Sequence, residues 1–177
     1  YIHKIFNQLF YGPKLYEEIS NQKSQFNDEP LIDLDDIILD NNLMSKLKNR
    51  FGAKISTVTG RGKFAFSYSM KNFLNNFDME NSVFLEDRSL NLAKPNPESL
   101  IESISKINSK CSLYIGDSME DLLMVKKCQE KGYDVSFCGI YGSSDEPKLK
   151  YELFQKNKAS FILESIKELP KALNLVW

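Results

Sequence analysis

SLYIGDSMEDLL, Ser112 to Leu123, decides how this chain is read. Leu113, Tyr114 and Ile115 form a short apolar run that meets Gly116-Asp117, and beyond the turn Leu122, Leu123 and Val125 recur on one side of a helical pattern. This predicts a buried strand, a tight turn and a helix. Asp117 then stands where strand becomes loop, with Asp121 one helical turn further on. The two carboxylates can face one volume at the carboxyl end of a sheet. Paired carboxylates there suit a hard divalent cation with oxygen ligands, Mg²⁺ above all. The same residues also suit a purely local role, in which Gly116 makes the turn, Ser118 caps the helix and Asp121 completes a capping box. The stretch alone leaves both readings open.

The composition bounds the rest. The 177 residues are 42% hydrophobic and 12% aromatic, enough for one good core and a small appendage. With 23 basic and 24 acidic residues the formal charge is −1, so no basic field draws the chain to nucleic acid or to an anionic membrane. An anionic ligand must therefore be held by local groups. Cys111, Cys128 and Cys138 are odd in number, lack metal-ligand spacing and lie in or beside apolar patterns. They predict reduced packing thiols in a cytoplasmic protein. His3 is the only histidine, at the extreme N-terminus, which argues against Ser-His-Asp and Cys-His mechanisms and against a histidine zinc site. No apolar run is long enough to span a bilayer, and no signal-peptide pattern is present. The sequence begins with Tyr1 rather than Met, so a longer protein is expected.

In chain order, Ile2, Ile5, Phe6, Leu9 and Phe10 lie at helical spacing until Gly12-Pro13, and a polar stretch of loop character follows from Ser20 to Glu29. Leu43, Met44 and Leu47 predict a helix ending near Gly52. Residues 1–38 thus read as a small helical module with its linker. From 39 to 177 the pattern alternates: strands at Lys54 to Val58, Val83 to Leu85, Leu113 to Ile115, Val135 to Cys138 and Phe161 to Leu163, with apolar helices between them. One helix is expected over Phe64 to Phe77. The next opens at Asn96-Pro97-Glu98 with Asn as cap, and the last runs to Leu173. The fold class is α/β, a doubly wound, Rossmann-like parallel sheet with helices on both faces.

Three strand ends carry, in order, Thr59-Gly60, then Lys94-Pro95 after the second strand's loop, then Asp117 with Asp121. In a doubly wound sheet such ends converge at one edge. A hydroxyl with neighbouring backbone N–H groups, an ammonium and a carboxylate pair for Mg²⁺ together describe a phosphate site. Pro95 confines the Lys94 backbone to the extended region. Each dipeptide alone also fits an ordinary turn or a solvated surface.

These motifs, ISTVTG with Thr59, AKPNPESL with Lys94 and YIGDSMEDL with Asp117 and Asp121, resemble the second, third and fourth motifs of the haloacid dehalogenase-like superfamily. The resemblance covers residues 38 to 177. The motif spacing resembles the branch whose small helical cap lies between its first and second motifs, and the first 38 residues would be the remnant of that cap. VTGR, with Arg61 after the glycine, resembles a subset of the family.

The resemblance implies a Mg²⁺-dependent phosphatase in which an aspartate attacks phosphorus. Thr59 and Lys94 would be catalytic, with Gly60 and Arg61 joining them on the substrate phosphate, and Asp117 and Asp121 would serve the metal. The partner would be a small phosphorylated metabolite. A metal-free dehalogenase and a non-catalytic phosphate-binding protein are the alternatives. The family's first motif, DxDG after an apolar strand, is the departure. The only DxD is Asp33-Leu34-Asp35, close behind Pro30 and followed by Asp36 where the family has Gly. A central strand rarely starts behind proline, so Asp33 to Asp36 reads as an acidic turn and the nucleophile is expected upstream of Tyr1. In the family that strand lies between those ending at Thr59 and Asp117. The two are therefore expected not to pair with each other, and a further strand, or the stretch Leu31 to Leu34, to stand between them.

Overall fold

A computed structural model describes residues 2–175, which divide into two compact units. The first consists of the residues up to Ile37 together with Lys63–Lys71. It contains α1 (Ile2–Ser20), kinked at Gly12, a 3₁₀ turn over Leu31–Leu34, and α3 (Lys63–Ser69). Gly12 has φ 66°, and a Cβ there would lie 2.6 Å from Pro30 Cγ, so the kink and the close approach both require glycine. Tyr11, Tyr16, Ile32 and Ala65 form this unit's core, with Phe64 and Tyr68 packed on it. These contacts explain why α3, which the sequence pattern puts with the strand-rich part, groups instead with α1. Asp33 lies on the 3₁₀ turn and accepts a hydrogen bond from Tyr68 Oη at 2.8 Å, while Asp35 accepts one from Ser69. Leu31 to Leu34 is therefore not a strand.

The second unit, Ile38–Gly62 with the residues from Asn72 on, holds all five strands found among the described residues. β1 (Val58–Thr59) pairs in parallel with β2 (Val83–Phe84). β3 (Ser112–Gly116), β4 (Val135–Ile140) and β5 (Phe161–Leu163) form a second parallel sheet in that order. The architecture is α/β, with parallel sheets of two and three strands. α2 (Asn41–Phe51) is capped by Asp40, whose carboxylate accepts the Leu43 N–H. α4 (Glu98–Ile107) is opened by Asn96, whose side chain accepts the Glu98 N–H. α5 (Met119–Glu130), α6 (Pro147–Lys156) and α7 (Leu169–Ala172) complete the seven described helices. One core centres on Val83, Leu122, Met124, Val125 and Phe154, and another on Met44, Leu47, Cys138 and Leu169.

Several expected elements shrink, for local reasons. Of the strand expected over Lys54 to Val58 only Val58 lies in β1, which runs on to Thr59; one residue earlier Ser82 Oγ, rather than a ladder carbonyl, accepts the Thr57 N–H. The helix expected over Phe64 to Phe77 ends at Ser69, and Leu74–Asn76 is a separate 3₁₀ turn in which the Asn76 side chain bonds the Phe73 carbonyl. α6 is not evident in the sequence pattern, since Phe154 is its one buried residue and Leu149, Tyr151 and Leu153 are exposed.

β3 and β4 are both apolar, yet β4 is buried at five of six residues and β3 is only partly buried at all five. The ladder explains the difference. Ser112 N–H donates to Asp134 O, so residues 112, 114 and 116 bond toward β4 and Leu113 and Ile115 direct their backbone groups the other way. Among the described residues no strand pairs with that edge, nor with the edge of β1 opposite β2. β1 and β3 share no ladder, as expected. They meet instead through a side chain: Tyr114 Oη donates to Val58 O at 2.9 Å.

Candidate phosphate-binding strand ends

The turn after β3 is built around one carboxylate. Asp121 is 4% exposed, and a Cβ on Gly116 would lie 2.6 Å from its Oδ2, so glycine is needed for the carboxylate to fold back over the turn. Ser118 Oγ accepts the Asp121 N–H at 3.1 Å, and Asp121 Oδ2 accepts both the Ser118 N–H at 3.2 Å and the Ser118 hydroxyl at 2.8 Å. That is the capping box. Asp121 Oδ1 faces the other way and accepts from Lys94 Nζ at 2.7 Å and from Tyr114 Oη at 3.0 Å. Oδ2 thus holds two donors, and Oδ1 holds the Lys94 ammonium with the Tyr114 phenol within reach. The local role and an ionic role coexist in a single residue.

Lys94, after the 3₁₀ turn Leu90–Leu92, comes from a different loop, and its peptide bond to Pro95 is cis. Its ammonium is 5.5 Å from the centre of the Tyr114 ring, within cation–π range, besides its bond to Asp121. Tyr114 is the residue that the sequence pattern passes over, because within Leu113-Tyr114-Ile115 it reads as one more apolar strand position. The signal for it is a phenol two residues before Gly116-Asp117. Burial, then the neighbouring Asp121 and Asp117 charges, raise its pKa far above the usual tyrosine value, so the phenol keeps its proton.

Thr59 ends β1 next to Val58, and its Oγ1 accepts the Arg61 N–H at 3.2 Å, so the hydroxyl proton points elsewhere. Gly60 is exposed with open space around it. The loop is pinned at Gly62, whose N–H donates to Glu86 Oε2 at 2.8 Å at the end of β2. Asp117 is exposed. A continuous chain of contacts, Val58 to Tyr114 to Asp121 to Lys94, therefore joins the ends of β1 and β3 and the Lys94 loop. It brings Lys94 and Asp121 into direct contact, places Thr59 one residue from the chain, and leaves Gly60 and Arg61 on the following loop.

For a metal, the two carboxylates are not equivalent. Asp121 is occupied by Lys94, Tyr114 and Ser118, whereas exposed Asp117 is the carboxylate of this turn accessible to a cation. Mg²⁺ keeps several waters and takes one or two protein carboxylates, which Asp117 fits. No group of three or more His, Cys, Asp or Glu side chains suited to a metal occurs among the described residues. No family model matches the chain, and neither a curated protein nor a solved structure is found to match it.

Proposed function

We propose that this chain is the phosphate-holding part of a Mg²⁺-dependent phosphatase that hydrolyses a small phosphomonoester through an aspartyl-phosphate intermediate. The observation that carries the reading is the contact chain from Val58 to Lys94, which assembles an ammonium, a hydroxyl-bearing strand end and a carboxylate turn from three separate segments. Lys94 would neutralise the phosphate, with Thr59 donating its hydroxyl proton and Gly60 and Arg61 supplying further donors from the loop. Asp117 would hold Mg²⁺, which supplies charge stabilisation to the phosphoryl oxygens when bound. Asp121 would act by orienting Lys94. On this reading the two parallel sheets belong to one doubly wound layer, the helical unit corresponds to the small cap, and none of the site residues named above is the attacking aspartate. Asp33 is held by Tyr68 in the helical unit.

A non-catalytic phosphate-binding protein is the second reading, favoured by the full engagement of Asp121, which leaves Asp117 as the turn's exposed carboxylate. We place the protein in the cytoplasm. Its three cysteines are free, and no described helix is long and apolar enough to cross a membrane. Burial pushes the Cys128 and Cys138 thiols up to about 11 and about 12, as inert packing residues require, whereas Cys111 is exposed rather than packed.

Hydrolysis of p-nitrophenyl phosphate by the full-length protein, with and without Mg²⁺, tests the enzyme. Mg²⁺-dependent turnover that Asp117→Asn abolishes, with the circular dichroism spectrum unchanged, supports it. Phosphate binding without turnover selects the second reading, and neither binding nor turnover overturns both.

A further inference from the structure

Tyr114 has one hydroxyl proton and two acceptors within reach, Val58 O at 2.9 Å and Asp121 Oδ1 at 3.0 Å. Only one can take that proton at full strength at a time. Which one takes it depends on what else Asp121 Oδ1 holds, and that is the Lys94 ammonium at 2.7 Å. While Lys94 is in place the carboxylate oxygen is served, and the phenol can turn to the carbonyl of β1. When Lys94 leaves, the carboxylate is short of a donor in a site where Asp121 is 4% exposed. An ionised acceptor bonds more strongly than a neutral carbonyl, so the proton turns to Asp121 and Val58 O loses its partner. Val58 O faces away from β2, whose N–H groups go to Thr57 O and Thr59 O, so the ladder does not replace the lost bond. Val58 is also the residue before Thr59.

We infer that Tyr114 is a positioning residue whose hydroxyl couples the state of Lys94 to the β1 strand end at Val58-Thr59. The inference goes beyond the phosphate reading in that the coupling is a property of the protein alone. It also predicts a consequence for that reading: an anion that draws the ammonium off Asp121 would alter the placement of Thr59 through one phenol rotation.

The test in the ligand-free protein is the carbonyl ¹³C resonance of Val58. Lys94→Met, which removes the ammonium and keeps the stem, should shift that resonance in the direction of a lost hydrogen bond. In a Tyr114→Phe background, where the ring stays and the hydroxyl is absent, the same Lys94→Met change should leave it unmoved. A Val58 carbonyl that ignores Lys94→Met, or responds equally with and without the hydroxyl, overturns the inference. Should Tyr114→Phe not fold, Asp121→Asn provides the second background, since it weakens the competing acceptor and should likewise blunt the response to Lys94→Met.

The second arm uses inorganic phosphate with saturating Mg²⁺ in a double-mutant cycle of Thr59→Ala and Lys94→Met. With Tyr114 present the two effects on affinity should depart from additivity by about threefold or more, and in the Tyr114→Phe background they should multiply. Additivity in both backgrounds contradicts the coupling. Absence of phosphate binding by the unsubstituted protein counts against the proposed function, and the carbonyl measurement still decides the inference.

Discussion

Asp121 shows how one side chain can satisfy two sequence patterns at once. The S-x-x-D spacing from Ser118 makes it a capping residue, and its second oxygen reaches Lys94, which is remote in sequence. The cap was legible because it is local. The Lys94 pair was not legible as a contact, since only the return of a separate loop over α5 brings the two together. Lys94→Ala should lower turnover by on the order of a hundredfold, the scale on which one preorganised charge stabiliser acts, and steady-state assays showing less than a threefold change would return Lys94 to a structural role. Glu102 offers a test of an ion pair away from the site. Arg88 and, secondarily, Lys106 hold its carboxyl at about 2, below the ordinary value of 4.5. A lowered folded-state value means that the stabilisation is full above the ordinary value and is lost as pH falls toward about 2. Thermal melts of the unsubstituted protein and Glu102→Gln should differ most near neutrality and converge through that acid window. A difference that persists unchanged at the acid end would exclude the pair as its source.

At the level of elements, burial follows pairing within the three-stranded sheet. β4 is covered on both edges by β3 and β5, and among the described residues β3 is paired on one edge only, despite an equally apolar sequence. Amide hydrogen exchange should divide β3 residue by residue: Tyr114 and Gly116, which bond toward β4, exchange slowly, and Leu113 and Ile115 exchange faster. Uniform protection along β3 would mean that its second edge is also paired. Strand positions were legible from the short apolar runs Val83 to Leu85, Leu113 to Ile115 and Phe161 to Leu163, because parallel strands carry apolar residues on both faces. Helices were less so. α6 buries little besides Phe154 and so lacks an apolar stripe, and the expected long helix after Gly62 is broken after Ser69.

For the whole molecule, the sequence pattern placed a helical module over residues 1–38 before an alternating α/β segment, and the chain divides into two compact units, one made of the residues up to Ile37 with Lys63–Lys71 and the other of the rest. No hydrophobic pattern could have assigned α3, because an apolar face does not state which core it joins; Ala65 and Phe64 pack with Tyr11 and Tyr16. With a net charge of −1, affinity for an anion has to arise from local groups, which the proposed function puts at the strand ends. The most direct test of that claim is calorimetric titration with inorganic phosphate, with and without Mg²⁺. The account predicts saturable binding that requires Mg²⁺, is lost in Asp117→Asn and is weakened about tenfold or more in Lys94→Ala, as expected for removal of a charge-assisted contact. Phosphate binding that is absent, or that survives both substitutions unchanged, would contradict it.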